Sequence, residues 1–238
     1  MADNLPLSGR LALVTGASRG IGAASAMALA RAGAHVILVA RTSGALEAVE
    51  DAIHAAGGSA TIAPLDLIDG ESIGRLAQAV SGRWDALDIM VLNAATLGTL
   101  AGVPAIDAKE FARLMTLNVT AQQALIAAFD PMLRKSADAR VVALTSAVAA
   151  SPRAYWGAYG ASKAALEVLV SAYGQEVARI SKIRTHILNP GATRTAMRAR
   201  AYPGEDPATV KEPEIVGEAI VALVTGDHPD GYRIELPK

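Results

Sequence analysis

Short, unbroken apolar runs alternate along the chain with longer segments whose apolar residues recur at helical spacing. Leu11 to Thr15, His35 to Ala40, Ala60 to Leu65, Leu87 to Leu92, Arg140 to Thr145 and Arg184 to Leu188 read as strands, with a short last one at Tyr232 to Glu235. Between them, Gly20 to Ala32, Ala45 to Ala56, Ser72 to Val80, Asp107 to Leu133, Ala158 to Ile180 and Pro213 to Val224 read as helices. Gly57-Gly58 stops the second of these. Strands that are apolar at every position are buried on both faces, and helices between them imply a parallel sheet covered on both sides. Right-handed crossovers then wind it doubly, giving an α/β fold of about seven strands. The 238 residues contain no linker-like or low-complexity tract, so residues 1–238 are read as one domain.

Ligands of such a sheet bind beyond the carboxyl ends of its strands, so chemistry is expected there. The first strand runs directly into Thr15-Gly16-Ala17-Ser18-Arg19-Gly20-Ile21-Gly22. Gly16, Gly20 and Gly22 allow a tight turn, close approach of backbone to a pyrophosphate, and close helix packing. The helix that opens at Gly20 adds unpaired N–H groups and a positive dipole end. This is the pattern of a Rossmann-type dinucleotide site, with the spacing G-x-x-x-G-x-G. A carboxylate at the end of the second strand would bind ribose hydroxyls and reject a 2′-phosphate. That strand instead ends Val39-Ala40-Arg41. Arg41 and Arg19 are suited to grip a 2′-phosphate through charge-assisted hydrogen bonds, which points to NADP(H) over NAD(H).

Tyr159 and Lys163 are four apart in a helical segment and share one face. A free phenol, with a pKa near ~10, is a poor acid/base at neutral pH. A neighbouring ammonium favours the phenolate, and a drop of about 3 units needs roughly 4 kcal/mol of differential stabilisation. Lys163 together with a positively charged nicotinamide is expected to supply it.

Composition narrows the function classes. Apolar residues make up 52% and charged residues 19%, as in a packed globular protein, and the net charge of −1 argues against phosphate-backbone binding to nucleic acid. Without cysteine there is no disulfide or thiolate chemistry. His35, His54, His186 and His228 are widely separated, so no side-chain metal site is expected. The first residues lack a signal-peptide pattern and no run of about 18 apolar residues occurs, so the expected location is the cytoplasm, away from membranes.

Several motifs, in order and spacing, resemble the classical short-chain dehydrogenase/reductase family over nearly the whole chain. Thr15 to Gly22 looks like its TGxxxGxG turn, Asp66-Leu67 like its adenine-binding pair, and Asn93-Ala94 like the core of its motif after the fourth strand. Asn118, Ser146 and Tyr159-Gly160-Ala161-Ser162-Lys163 resemble its catalytic asparagine, serine and YxxxK. Pro190-Gly191, with Thr193 and Thr195 beyond, resembles the segment that contacts nicotinamide. One motif departs: Leu92 and Ala95 stand where the family usually has asparagine and glycine, which either weakens cofactor binding or is a packing variant. The stretch from Asn189 to Arg198 is similar to a bacterial branch known only as oxidoreductases. The 3-oxoacyl-[acyl-carrier-protein] reductases are similar at the general motifs.

The resemblance implies an NADP(H)-dependent oxidoreductase that moves a hydride between nicotinamide and a carbonyl or secondary alcohol. Tyr159 would be the general acid/base. Lys163 would tune it and hold the ribose, Ser146 would orient the carbonyl, and Asn118 would position a water relaying protons to Lys163. The alternatives are a 3-oxoacyl-thioester reductase and, of another class, a non-catalytic dinucleotide-binding redox sensor. The complete Ser146–Tyr159–Lys163 set disfavours the sensor. The substrate pocket is expected between Thr96 to Gly102, Val148 to Trp156 with Tyr155, and the loop after Pro190. Arg194, Arg198 and Arg200 on that loop either attract an anionic substrate or form a solvated face. The helices Asp107 to Leu133 and Ala158 to Ile180 are apolar on more than one face, and the family forms homodimers and homotetramers, so a homo-oligomer is expected.

Overall fold

The computed structural model describes residues 5–237. The chain runs β1 (Leu11–Thr15), α1 (Gly20–Arg31), β2 (His35–Ala40), α2 (Ser43–Ala55), β3 (Ser59–Pro64), α3 (Gly70–Ser81) and β4 (Ile89–Leu92). It continues with α4 (Ala108–Met115), α5 (Ala121–Leu133), β5 (Arg140–Leu144), α6 (Ala147–Ala150) and α7 (Gly157–Val177). Then come β6 (Arg184–Asn189), α8 (Ala196–Ala201), α9 (Pro213–Thr225) and β7 (Tyr232–Glu235). The seven strands form one sheet in the order β3-β2-β1-β4-β5-β6-β7, and every pairing is parallel. The chain leaves β1 in one direction and β4 in the other, so the strand order reverses between them. β1, β4 and β5 are buried at every position, as their unbroken apolar runs require.

Two apolar layers sandwich the sheet. Leu13, Met90, Leu125, Phe129, Leu166 and Val170 belong to one. Val14, Leu29, Leu38, Val91, Ile220 and Leu223 belong to the other. Asp69 and Asp107 cap α3 and α4, accepting from the N–H groups of Glu71 and Glu110.

The single long helix expected over Asp107 to Leu133 is broken. Thr116–Thr120 forms one turn of π-helix between α4 and α5, in which the Ala121 N–H reaches back five residues to the Thr116 carbonyl. Such a turn carries one residue more than the α-helical register holds, and these turns concentrate at functional sites. Asn118 is buried inside it. The helix expected over Ala158 to Ile180 ends earlier, at Val177.

The amino ends of the strands share a polar belt. Asp138, just before β5, accepts from Arg10 Nη2 at 3.3 Å, from Arg184 Nη2 at 2.9 Å and from Arg140. Arg140 is only 2% exposed. Asp88 accepts from the Leu11 N–H at 2.8 Å and from Ser136 Oγ at 2.6 Å. His186, in β6, is fully buried beside this belt, and neither ring nitrogen has a hydrogen-bond partner. Burial, followed by the nearby Arg140, His228 and Arg184, pushes it down to about 4. The unfolded chain takes up a proton as pH falls through about 6.5, whereas the folded chain does not until about 4. Stability is therefore present above the unfolded value and is lost across that window. We expect His186→Leu to remove about 2 kcal/mol of the wild-type stability loss between roughly pH 7 and 4.5. Urea midpoints measured at both pH values would show it; equal acid sensitivity of the two proteins would refute it.

Candidate active site

The turn after β1 has the form of an anion cradle. Gly16 and Gly20 adopt φ of 65° and 55°. A side chain at Gly16 would run into Asn93 Nδ2 and the Ala94 backbone, at 2.8 and 3.1 Å. One at Gly22 would collide with the Gly16 carbonyl. Arg19 occupies the N-cap of α1 without a side-chain cap, and the first turn holds no acidic residue. The helix N-terminus therefore keeps its N–H groups and dipole for an anion. Ser18 and Ile21 are partly buried in the same turn, and Arg19 and Arg41 are exposed beside it. No salt bridge among the described residues engages either guanidinium.

The end of β4 is tied to this turn. Asn93 Nδ2 donates to the Thr15 carbonyl at 2.7 Å. Thr15 Oγ1 accepts from the N–H groups of Asn93 and Ala94, both at 3.0 Å, and donates to the Val91 carbonyl at 3.1 Å. Thr15 opens the glycine turn, and its hydroxyl makes the strand tie. Leu92 is a packing residue: its side chain lies in the core with Leu67 and Leu13. Asp66 is exposed at the rim, accepting from the Ile68 N–H at 3.1 Å, while Leu67 is buried.

Across the cleft, the segment after β6 faces the glycine turn. A side chain at Gly20 would meet Thr195 Cγ2 at 3.2 Å. Thr193 Oγ1 donates to the Pro190 carbonyl at 3.2 Å, and Gly191 turns with φ of 63°. Lys211, a residue absent from the sequence reading, donates to the Pro190 carbonyl at 2.6 Å and fixes this segment.

Tyr159 and Lys163 lie on the first turns of α7 and are 8% and 2% exposed. Lys163 Nζ sits 5.9 Å from the centre of the Tyr159 ring and donates to the Leu144 carbonyl, at the end of β5, at 2.7 Å. Ser146 begins α6 just beyond β5, and its hydroxyl makes no capping bond. Burial pushes the Tyr159 phenol up to about 12. Burial also brings Lys163 down to about 8, against the pull of Glu167. Burial thus disfavours the charged form of each group.

Asn118 is fully engaged. Its Nδ2 donates to the Thr96 carbonyl at 2.9 Å and to Ser162 Oγ at 3.0 Å, and its Oδ1 accepts from the Thr96 N–H at 2.8 Å. Both amide hydrogens thus fasten the π-turn to the loop after β4 and to α7. Glu167, one turn beyond Lys163, accepts from Thr145 Oγ1 and from Arg233 Nη2, each at 2.5 Å. It braces the residue that precedes Ser146.

Among the described residues no group of three or more histidine, aspartate or glutamate side chains is arranged to hold a metal ion, and no helix is long and apolar enough to cross a membrane. The family model for short chain dehydrogenases matches residues 10–206. The chain is 38% identical over 210 residues to the uncharacterized oxidoreductase YciK of Escherichia coli K12, covering 87% of this chain and 82% of that one. A short chain dehydrogenase structure from Pseudomonas syringae superposes with a TM-score of 0.93 at 36% identity, covering 99% and 97% of the two chains. Another, from Escherichia coli CFT073 and complexed with NADPH, gives 0.92 at 36% identity with 98% of each chain covered.

Proposed function

The chain belongs to the short chain dehydrogenase family of oxidoreductases, and on that footing we propose that it reduces a carbonyl compound with NADPH, using Tyr159 as the proton donor. The observation that carries this reading is the placement of buried Tyr159 and buried Lys163, the latter bonded to the Leu144 carbonyl, beside the uncapped Ser146 hydroxyl at the carboxyl end of β5. They sit at the same end of the sheet, beyond the carboxyl ends of its strands, as the glycine cradle.

The residues present fit a dinucleotide. The uncapped N-terminus of α1, with Gly16, Ser18, Gly20, Ile21 and Gly22, would hold the pyrophosphate. Asp66 and Leu67 would flank the adenine, and Asn93, Ala94, Lys163, Pro190, Gly191, Thr193 and Thr195 would hold the nicotinamide half. The bound cofactor supplies the hydride. Ser146 Oγ–H hydrogen-bonds the substrate carbonyl oxygen and fixes its position. Tyr159 Oη–H gives its proton to that oxygen as negative charge builds there. Lys163, held by the Leu144 carbonyl, supplies positive charge that stabilises the phenolate left behind. Asn118 acts by holding the π-turn, the Thr96 loop and α7 in register around the pair.

The test is NADPH consumption across a panel of aldehydes and ketones; no turnover of any member would refute the reading. Cofactor choice rests on Arg19 and Arg41, both without an acidic partner among the described residues. Each charge-assisted bond to a phosphate contributes about 1.5–3 kcal/mol. Arg41→Asp is therefore expected to lower kcat/KM for NADPH by roughly 10- to 100-fold and to narrow the gap to NADH. An unchanged NADPH-to-NADH ratio would remove Arg41 from cofactor selection.

A further inference from the structure

The walls around Tyr159 are apolar, and the arginines of the segment after β6 already have partners. α8 carries Met197 and Ala201 onto the Tyr159 cluster, where Leu97, Leu100, Val148 and Trp156 complete the enclosure. The Trp156 ring stands edge-on to Tyr159, centroids 6.0 Å apart, and lies 5.7 Å from the Tyr202 ring. Each arginine of the segment is engaged. Arg194 pairs with Glu212. Arg198 forks onto Glu205, with Nε–Oε2 at 2.6 Å and Nη2–Oε1 at 2.5 Å, and its guanidinium lies 3.7 Å from the centre of the Tyr202 ring. Arg200 Nη2 donates to the Gly98 carbonyl at 2.7 Å, pinning α8 to the loop after β4.

Beside the enclosure a cavity of about 120 Å³ is lined by Ala158, Phe111, Leu114 and Ile106, and its charged members are the carboxylates Asp107 and Glu110. Arg153 sits on the exposed stretch before Trp156, where water and salt screen it.

We propose that this site selects neutral, apolar carbonyl compounds, aryl or alkyl ketones and aldehydes, and rejects substrates bearing an anion close to the reacting carbonyl. The proposal rests on the carbonyl-reductase reading above and adds the substrate class. An anion entering the enclosure loses its hydration and finds Arg194, Arg198 and Arg200 already engaged, whereas an aromatic or aliphatic group replaces water against Trp156, Leu97 and Met197. Arg198 and Arg200 act as struts of the enclosure. They are not anion receptors.

The test uses a matched pair, acetophenone and 4-acetylbenzoate, which share a carbonyl and a carbon skeleton and differ in one charge. With NADPH, kcat/KM for acetophenone is expected to exceed that for 4-acetylbenzoate by at least tenfold. Equal values, or preference for the anion, would overturn the proposal. A second measurement needs no cofactor or turnover. The chain has two tryptophans, so Trp84→Phe leaves Trp156 as the fluorescent reporter. Propylbenzene is expected to change its emission at concentrations at least tenfold below those needed for 3-phenylpropanoate. If neither ketone is reduced but the fluorescence preference holds, the substrate-class inference stands and the reductase reading falls. If neither ligand alters Trp156 emission, the inference falls.

Discussion

Tyr159→Phe is expected to lower kcat by about a thousandfold or more, within the range general acid–base catalysis contributes, while leaving NADPH binding intact. The substitution removes one oxygen and keeps the ring that packs against Leu97, Val148 and Trp156. The enclosure therefore survives while the proton donor is lost. A thousandfold loss corresponds to about 4 kcal/mol of transition-state stabilisation. Steady-state turnover and an NADPH titration on the same protein separate the two effects. Turnover equal to the parent would show that another group supplies the proton. Burial keeps the phenol protonated to about 12, so the parent's reductive rate should not require a basic medium.

The largest expected stability effect lies at the opposite end of the sheet, where the strands begin. Asp138→Asn preserves shape but leaves Arg10, Arg140 and Arg184 around a neutral amide. Arg140 is 2% exposed and Asp138 is its carboxylate partner, so the variant leaves a buried charge without its counterion. Breaking such a pair costs about 3–5 kcal/mol, and the partial exposure of Asp138 places the effect near about 3. Guanidiniums and burial act oppositely on the carboxyl: burial pushes it up, and Arg184, Arg140 and Arg10 together hold it below the ordinary range. Urea midpoints would show the loss. A midpoint within error of the parent would mean that water or Asp227 compensates the arginines.

Much of this arrangement is written in residue patterns. His35–Ala40 begins and ends where its apolar run does, because a central parallel strand is buried on both faces and tolerates no polar interruption. The glycine turn is legible because few residues other than glycine accept its positive φ. Tyr159 and Lys163 meet because four residues make about one helical turn. What escaped the sequence depends on the tertiary surroundings. Lys211 and Glu167 act through backbone atoms and neighbours remote in the chain, and carry no motif of their own. The direction of the Tyr159 shift depends on α8 and Trp156 closing over it, and a sequence shows the ammonium without showing the burial. α8, six residues long and rich in arginine, has no apolar stripe to announce it.

The π-turn at Thr116–Thr120 concerns chain length more than residue type. Deleting any one of its five residues would heal the helix into an ordinary α-register and rotate one flank by about 100° against the other. Either α4 would swing Phe111 and Leu114 away from the cavity, or α5 would turn Leu125 and Phe129 out of the core. Substitutions here act locally, through Asn118, whereas a frame-preserving deletion of one codon would be felt along both helices. The segment is thus a place where the protein can change its letters more readily than its count.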